Sequence, residues 1–204
     1  MSIFTPPGDP LLRMVVPEVP MEEICSSEIQ EIIDTMYAIA RGERGDTEKR
    51  VMVGLAAPQI GVAKRIILVD IDVQADRKDL GSLNAYINPK IVWSSEEQVE
   101  EREGCYSVDK HVMGIVPRAL RIKVTALDRQ GTPISEEFSG FTARIFQHEI
   151  DHLEGIRFPD RVGEKGILQW VEEDQYPEYR KNWQNWPVHC PWDIWLAMKE
   201  GRSY

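Results

Sequence analysis

The residues with most chemical capacity stand together at Gln147-His148-Glu149-Ile150-Asp151-His152, an H-E-x-x-H pattern. In a helix, residues four apart share a face, so His148 and His152 can grip one metal ion. Glu149, one step round from the first histidine, is placed to touch a water on that ion rather than to ligate it. This is the geometry of a metal-assisted hydrolase. Two surface histidines that fall at this spacing on an amphipathic helix are the plain alternative. A third ligand must come from elsewhere, and Cys105 is the natural candidate. A thiolate binds divalent first-row metals strongly, and two histidines with one cysteine leave a fourth position for water. A buried free cysteine packed as a small hydrophobe has the same signature, and sequence distance does not separate the two. The stretch Val51-Met52-Val53-Gly54-Leu55-Ala56-Ala57-Pro58-Gln59-Ile60-Gly61 adds a further element. Its small residues admit another backbone or a ligand closely, and Gln59 follows a proline-constrained turn with a neutral amide donor. Tight packing of a small-residue strand, with Gln59 an ordinary surface group, is the alternative there.

These groups need a frame. The opening segment holds Pro6, Pro7, Pro10, Pro17 and Pro20 and should run extended over the surface. Ile24, Ile29, Ile32, Ile33, Met36 and Ile39 then recur at helical spacing between acidic residues, with Gly42 as a stop, which predicts an amphipathic helix. Residues 41–50 and 72–81 read as charged loops. Residues 65–70 read as a buried strand, and residues 86–93 as a strand that Pro89 forces to an edge or a bulge. Residues 96–103 are acidic and read as exposed. Residues 120–128 alternate and form a hairpin with residues 134–138 across Arg129-Gln130-Gly131. The expected fold is α+β, with antiparallel strands packed around a central metal-binding helix.

Composition narrows the function. The 204 residues suit one compact domain, and the net charge of -10 excludes a non-specific nucleic-acid binder. No DNA partner is expected. Three scattered cysteines, Cys25, Cys105 and Cys190, make a poor disulfide framework and fit a reducing, cytoplasmic setting. Neither an export signal nor a membrane-spanning run is expected.

Gly54-Leu55-Ala56-Ala57-Pro58-Gln59, Glu103-Gly104-Cys105-Tyr106-Ser107 and the H-E-x-x-H stretch together resemble the three ordered motifs of peptide deformylases. The resemblance runs from about Phe4 to Asp160. It implies removal of the N-formyl group from the starting methionine of new polypeptides, releasing formate. Cys105, His148 and His152 would hold one divalent metal, Fe2+ in the family, with Zn2+, Ni2+ or Co2+ able to replace it. Glu149 would be the general acid/base for attack by metal-bound water. Gln59 and the backbone N–H of Tyr106 would face the formyl oxygen. Gly54 would pair with the peptide backbone beside Leu55, and Ile145 with the Tyr106 ring would wall an apolar pocket for the methionine. Transient contact with the ribosome is a further expectation. Met52 and Tyr106 depart from the family pattern, which commonly has glycine and leucine at these places.

Residues 1–160 are thus expected to form the catalytic domain, and residues 161–204 an aromatic-rich extension packed on it. Five of the six tryptophans fall in that extension. Residues 167–171 and 192–198 read there as short helices separated by an irregular aromatic loop, and His189 and Cys190 as structural residues. Two other function classes remain open. An H-E-x-x-H metallopeptidase would take its third ligand downstream, where Glu154 and His189 stand; a non-catalytic peptide binder would have no use for Glu149.

Overall fold

The computed structural model describes residues 3–43, 51–73 and 80–204. Much of the loops expected at residues 41–50 and 72–81 lies outside them. Ser26 accepts a hydrogen bond from the Ile29 N–H and so starts helix α1, Ser27–Ala40. Ile24 therefore falls before the helix, in a short turn, although its side chain joins the same core.

Five antiparallel strands form the main sheet: β1 (Gly54–Ala56), β2 (Ile66–Asp70), β3 (Leu83–Ser94), β6 (Arg121–Leu127) and β7 (Pro133–Ser139), in that order. A second antiparallel sheet has the order β4 (Gln98–Glu103), β5 (Val112–Ala119), β8 (Leu168–Trp170). Strand β2 is buried throughout because both faces of the main sheet are covered. Ile66 and Leu68 pack under α1, whereas Ile67 and Val69 pack under helix α2, Gly140–Leu153. The hairpin of β6 and β7 is present as expected. Pro89 lies in a central strand, so the bulge is the reading that holds: the β3–β6 register shifts between Ile87 and Lys90, and Asn88 adopts φ 51°. The Asn88 amide spans the kink by bonding both the N–H and the C=O of Val19 at 2.8 Å.

Helix α2 packs on the main sheet and also touches β5 of the smaller one. Its rotation is fixed by Gln147, whose amide accepts from the Ala119 N–H and donates to the Ala119 C=O, both at 3.0 Å.

Three expectations need correction. The opening segment is not merely laid on the surface: Pro10–Arg13 makes a tight turn, and Leu12, Val16 and Val19 enter the interior. Residues 167–171 hold a strand rather than a helix, because Leu168–Trp170 completes its hydrogen bonds along β5, which a five-residue helix could not do internally. The loop expected after it contains helix α4, Tyr176–Asn182, with Pro177 in the first turn, where a missing N–H costs nothing. Helices α3 (Phe158–Val162) and α5 (Trp192–Glu200) pack with β5 and β8 around Phe158, Leu168 and Trp195. No helix among the described residues is long and apolar enough to cross a membrane.

Candidate active site

Three segments converge here. From its third and fourth turns come His148, Glu149 and His152; from the turn after β4 comes Cys105; from the short turn after β1 comes Gln59. Cys105 Sγ lies 3.2 Å from His152 Nε2, and the ligand atoms of Cys105, His148 and His152 all fall within 4.8 Å of one another. They are the one such group of three potential metal ligands among the described residues. Cys105 is half-buried and accepts from the Ser107 N–H at 3.4 Å and from Gln59 Nε2 at 3.4 Å. Gln59 is buried, not a surface group. Its Oε1 accepts from the Ala56 N–H at 2.7 Å, which turns its NH2 toward the cysteine.

The Cys105 thiol feels opposing influences. Burial disfavours its anion, but the neighbouring His152 and His148 outweigh burial and hold its pKa well below the ordinary thiol value. Burial likewise opposes protonation of His148, yet Cys105 and Glu103 together push its pKa well above the usual imidazole value. The centre thus favours positive charge between two anions. His148 Nδ1 meets Glu103 Oε2 at 2.9 Å. Since a carboxylate only accepts, Nδ1 keeps its proton, and Nε2 is the nitrogen free to ligate once a divalent cation displaces the proton held there. A thiolate and two imidazoles so arranged fit a divalent first-row metal.

Glu149 is 5% exposed, and its Oε2 has no hydrogen-bond partner in the protein. Burial pushes its carboxyl up to about 7, in the range a proton-transferring group needs. Gly54 lies directly against it. A Cβ at that position would sit 2.4 Å from Glu149 Oε1 and 2.7 Å from Ile145 Cγ2, so only glycine leaves the carboxyl its place. A cavity of about 290 Å³ opens here, lined among others by Met52, Gly54, Tyr106, Phe141, Ile145 and Glu149. Tyr106 stacks on Phe4 with ring centroids 4.6 Å apart. Leu55 is fully buried in the core beneath α1, so any contact with a peptide falls to its backbone.

Glu103 was expected on an exposed acidic segment, but it is 6% exposed. It receives Arg118 through Nε and Nη2, both at 3.0 Å, together with Arg144 at 2.6 Å and His148. Burial alone would raise its pKa, but His148 and Arg118 hold it far below the ordinary carboxylate range. Arg118 also reaches Asp151, which pairs with Arg161. A signal for this network exists in the sequence. Glu103 and Cys105 are two apart at the end of a strand, and Arg144, His148 and Asp151 recur at helical spacing. Glu154 pairs with Arg65 at 2.6 Å, the His189 backbone pairs with that of Gln169, and neither residue belongs to the clustered ligands.

Fold and donor set together define a metal-dependent hydrolase on an α+β frame. Residues 2–166 match the model of the polypeptide deformylase family. The peptide deformylase of Thermomicrobium roseum is 38% identical over 169 residues, covering 82% of this chain and 89% of that protein. Peptide deformylase 2 of Bacillus cereus is 40% identical over 165 residues, covering 78% and 87%. A class I type b peptide deformylase from Acinetobacter baumannii, solved with Met-Ala-Ser bound, superposes with a TM-score of 0.68 at 34% identity, covering 78% of this chain and 96% of that one. The chain belongs to the polypeptide deformylase family.

Proposed function

We propose that this hydrolase removes the N-formyl group from the N-terminal methionine of newly made polypeptides and releases formate. The observation that carries the reading is the meeting, in a member of this family, of Cys105, His148 and His152 with the buried carboxyl of Glu149, whose Oε2 has no protein partner. Cys105, His148 and His152 would hold a divalent ion, which when bound would supply Lewis acidity and lower the pKa of the attacking water. Glu149 takes the proton from that water and passes it to the departing amine. The Gln59 amide and the Tyr106 backbone N–H donate to the oxyanion that develops on the formyl oxygen, each contributing about 2.7–4 kcal/mol by analogy with other oxyanion donors. Gly54 pairs with the peptide backbone, and Ile145 and the Tyr106 ring wall the methionine pocket.

Ferrous iron is the proposed resident ion, with Ni2+, Co2+ or Zn2+ as substitutes that suit the same thiolate and imidazoles. Residues 1–160 are proposed as the catalytic domain and residues 161–204 as its packed extension. Three free cysteines support a cytoplasmic setting, and the nascent nature of the substrate supports transient contact with the ribosome.

The test is formate release from a formyl-methionyl peptide by nickel-loaded protein, with Glu149→Ala beside it. Rapid release by the parent and a loss of about 10²–10⁴-fold in the variant are expected. No release from folded, nickel-loaded parent would sink the reading.

A further inference from the structure

Arg157 is 0% exposed, and its Nε and Nη2 have no hydrogen-bond partner. Its Nη1 donates to the C=O of Pro7 at 2.5 Å and to the C=O of Ser107 at 3.3 Å. Those two carbonyls belong to the segments that flank the site. Ser107 closes the turn that carries Cys105 and Tyr106, and its N–H bonds Cys105 Sγ. Pro7 ends the stretch in which Thr5 donates to the carbonyls of Pro58 and Gln59, both at 2.8 Å, while Phe4 stacks on Tyr106. One guanidinium therefore ties the cysteine turn to the strap that holds the glutamine turn.

The same guanidinium lies over the ring of Trp195, with Cζ 4.5 Å from its centroid. Trp195 is also 0% exposed, and its Nε1 donates to Asp160 Oδ1 at 3.1 Å. Asp160 in turn accepts from the Arg157 N–H and from Lys199 of α5. Burying a guanidinium with free N–H groups costs solvation that an apolar side chain of like length would not lose. The ring face and Asp160 offset part of that cost. Burial pushes the guanidinium down to about 10, opposed first by Asp160 and then by Cys105, so it is cationic at neutral pH. Trp195 lies beyond residue 166, where the family match ends.

We propose that Arg157 is a positioning residue for the turn that carries Cys105 and Tyr106, braced by Trp195, so that the C-terminal extension acts on the metal site through this guanidinium. The inference rests on Cys105 being a ligand. Its test uses the full chain loaded with cobalt, read by the thiolate-to-cobalt absorption band, by the rate of cobalt transfer to a chelator, and by formate release. Arg157→Met should release cobalt about tenfold faster, with a shifted band and a lower kcat at little-changed KM. Trp195→Leu should move all readouts the same way, while Trp195→Phe, which keeps a ring face, stays near the parent. Arg157→Lys keeps the charge, but its ammonium ends one bond short of the Nη1 position that meets both carbonyls, and it should fall between parent and Arg157→Met. Parent-like band and release in folded Arg157→Met overturn the proposal. If that variant does not fold, parent-like release in Arg157→Lys overturns it instead. A parent without a thiolate band removes the premise. Cobalt effects as expected with no formate release in any protein would defeat the deformylase reading and leave this inference standing.

Discussion

Helix α2 buries two faces of opposite chemistry. Toward the main sheet, Ala143, Phe146, Ile150 and Leu153 pack with Ile67, Val69, Tyr86, Ile122 and Val124. Toward the smaller sheet, Arg144, His148 and Asp151 meet Glu103 and Arg118. The apolar face stabilises through area removed from water, a non-directional effect that tolerates small rotations of the helix. The ionic face returns little net stability, because desolvation offsets most of the attraction. Each of its contacts has a direction, however. The bidentate Arg118 grip orients Glu103, and Glu103 orients His148. One face keeps the helix in the fold; the other aims its histidines.

The comparison can be broken most severely at Glu103. Glu103→Ala leaves Arg118 and Arg144 buried without their shared carboxylate, which should cost about 3–5 kcal/mol of stability. Metal affinity should fall about 10–100-fold with it, measured by competition against a chelator. Unchanged affinity in the folded variant would mean that the ionic face does not aim His148. On the opposite face, Phe146→Ala should cost a similar 3–5 kcal/mol or so in urea unfolding, yet leave the metal affinity of the folded protein at the parent value. A large drop in affinity there would erase the distinction between the faces.

The smallest effect concerns alkaline pH. Burial, reinforced by Glu136, pushes the Tyr86 phenol on the apolar side up to about 12. An unfolded tyrosine ionises near pH 10. Its stabilisation is therefore complete below about pH 10 and is lost as the pH rises toward about 12. Tyr86→Phe should flatten that part of the curve by an amount on the order of 1 kcal/mol, seen as urea midpoints at pH 9 and pH 11. Equal slopes in parent and variant would show that the phenol titrates freely.

Local spacing alone determined a good part of this protein. The four-residue separation of His148 and His152 is a property of any helix, and the alternation of residues 120–128 needs only a strand and a tight turn, so both were legible. Cys105 as a partner of the histidines was nameable from its chemistry and from the resemblance, but its 3.2 Å approach to His152 depends on where β4 ends relative to α2. Three things were decided only by the tertiary structure. Residues 167–171 became a strand because an edge of β5 stood unpaired beside them. Glu103 changed from an acidic surface residue to a buried anchor because Arg118, Arg144 and His148 arrive from a neighbouring strand and a helix. Arg157 became a strut because Pro7, Ser107 and Trp195, distant in the chain, meet around it. The physical reason is common to all three: a periodic pattern records which face a residue occupies, whereas the pairing of a charge or a strand edge depends on what other segments bring to that face.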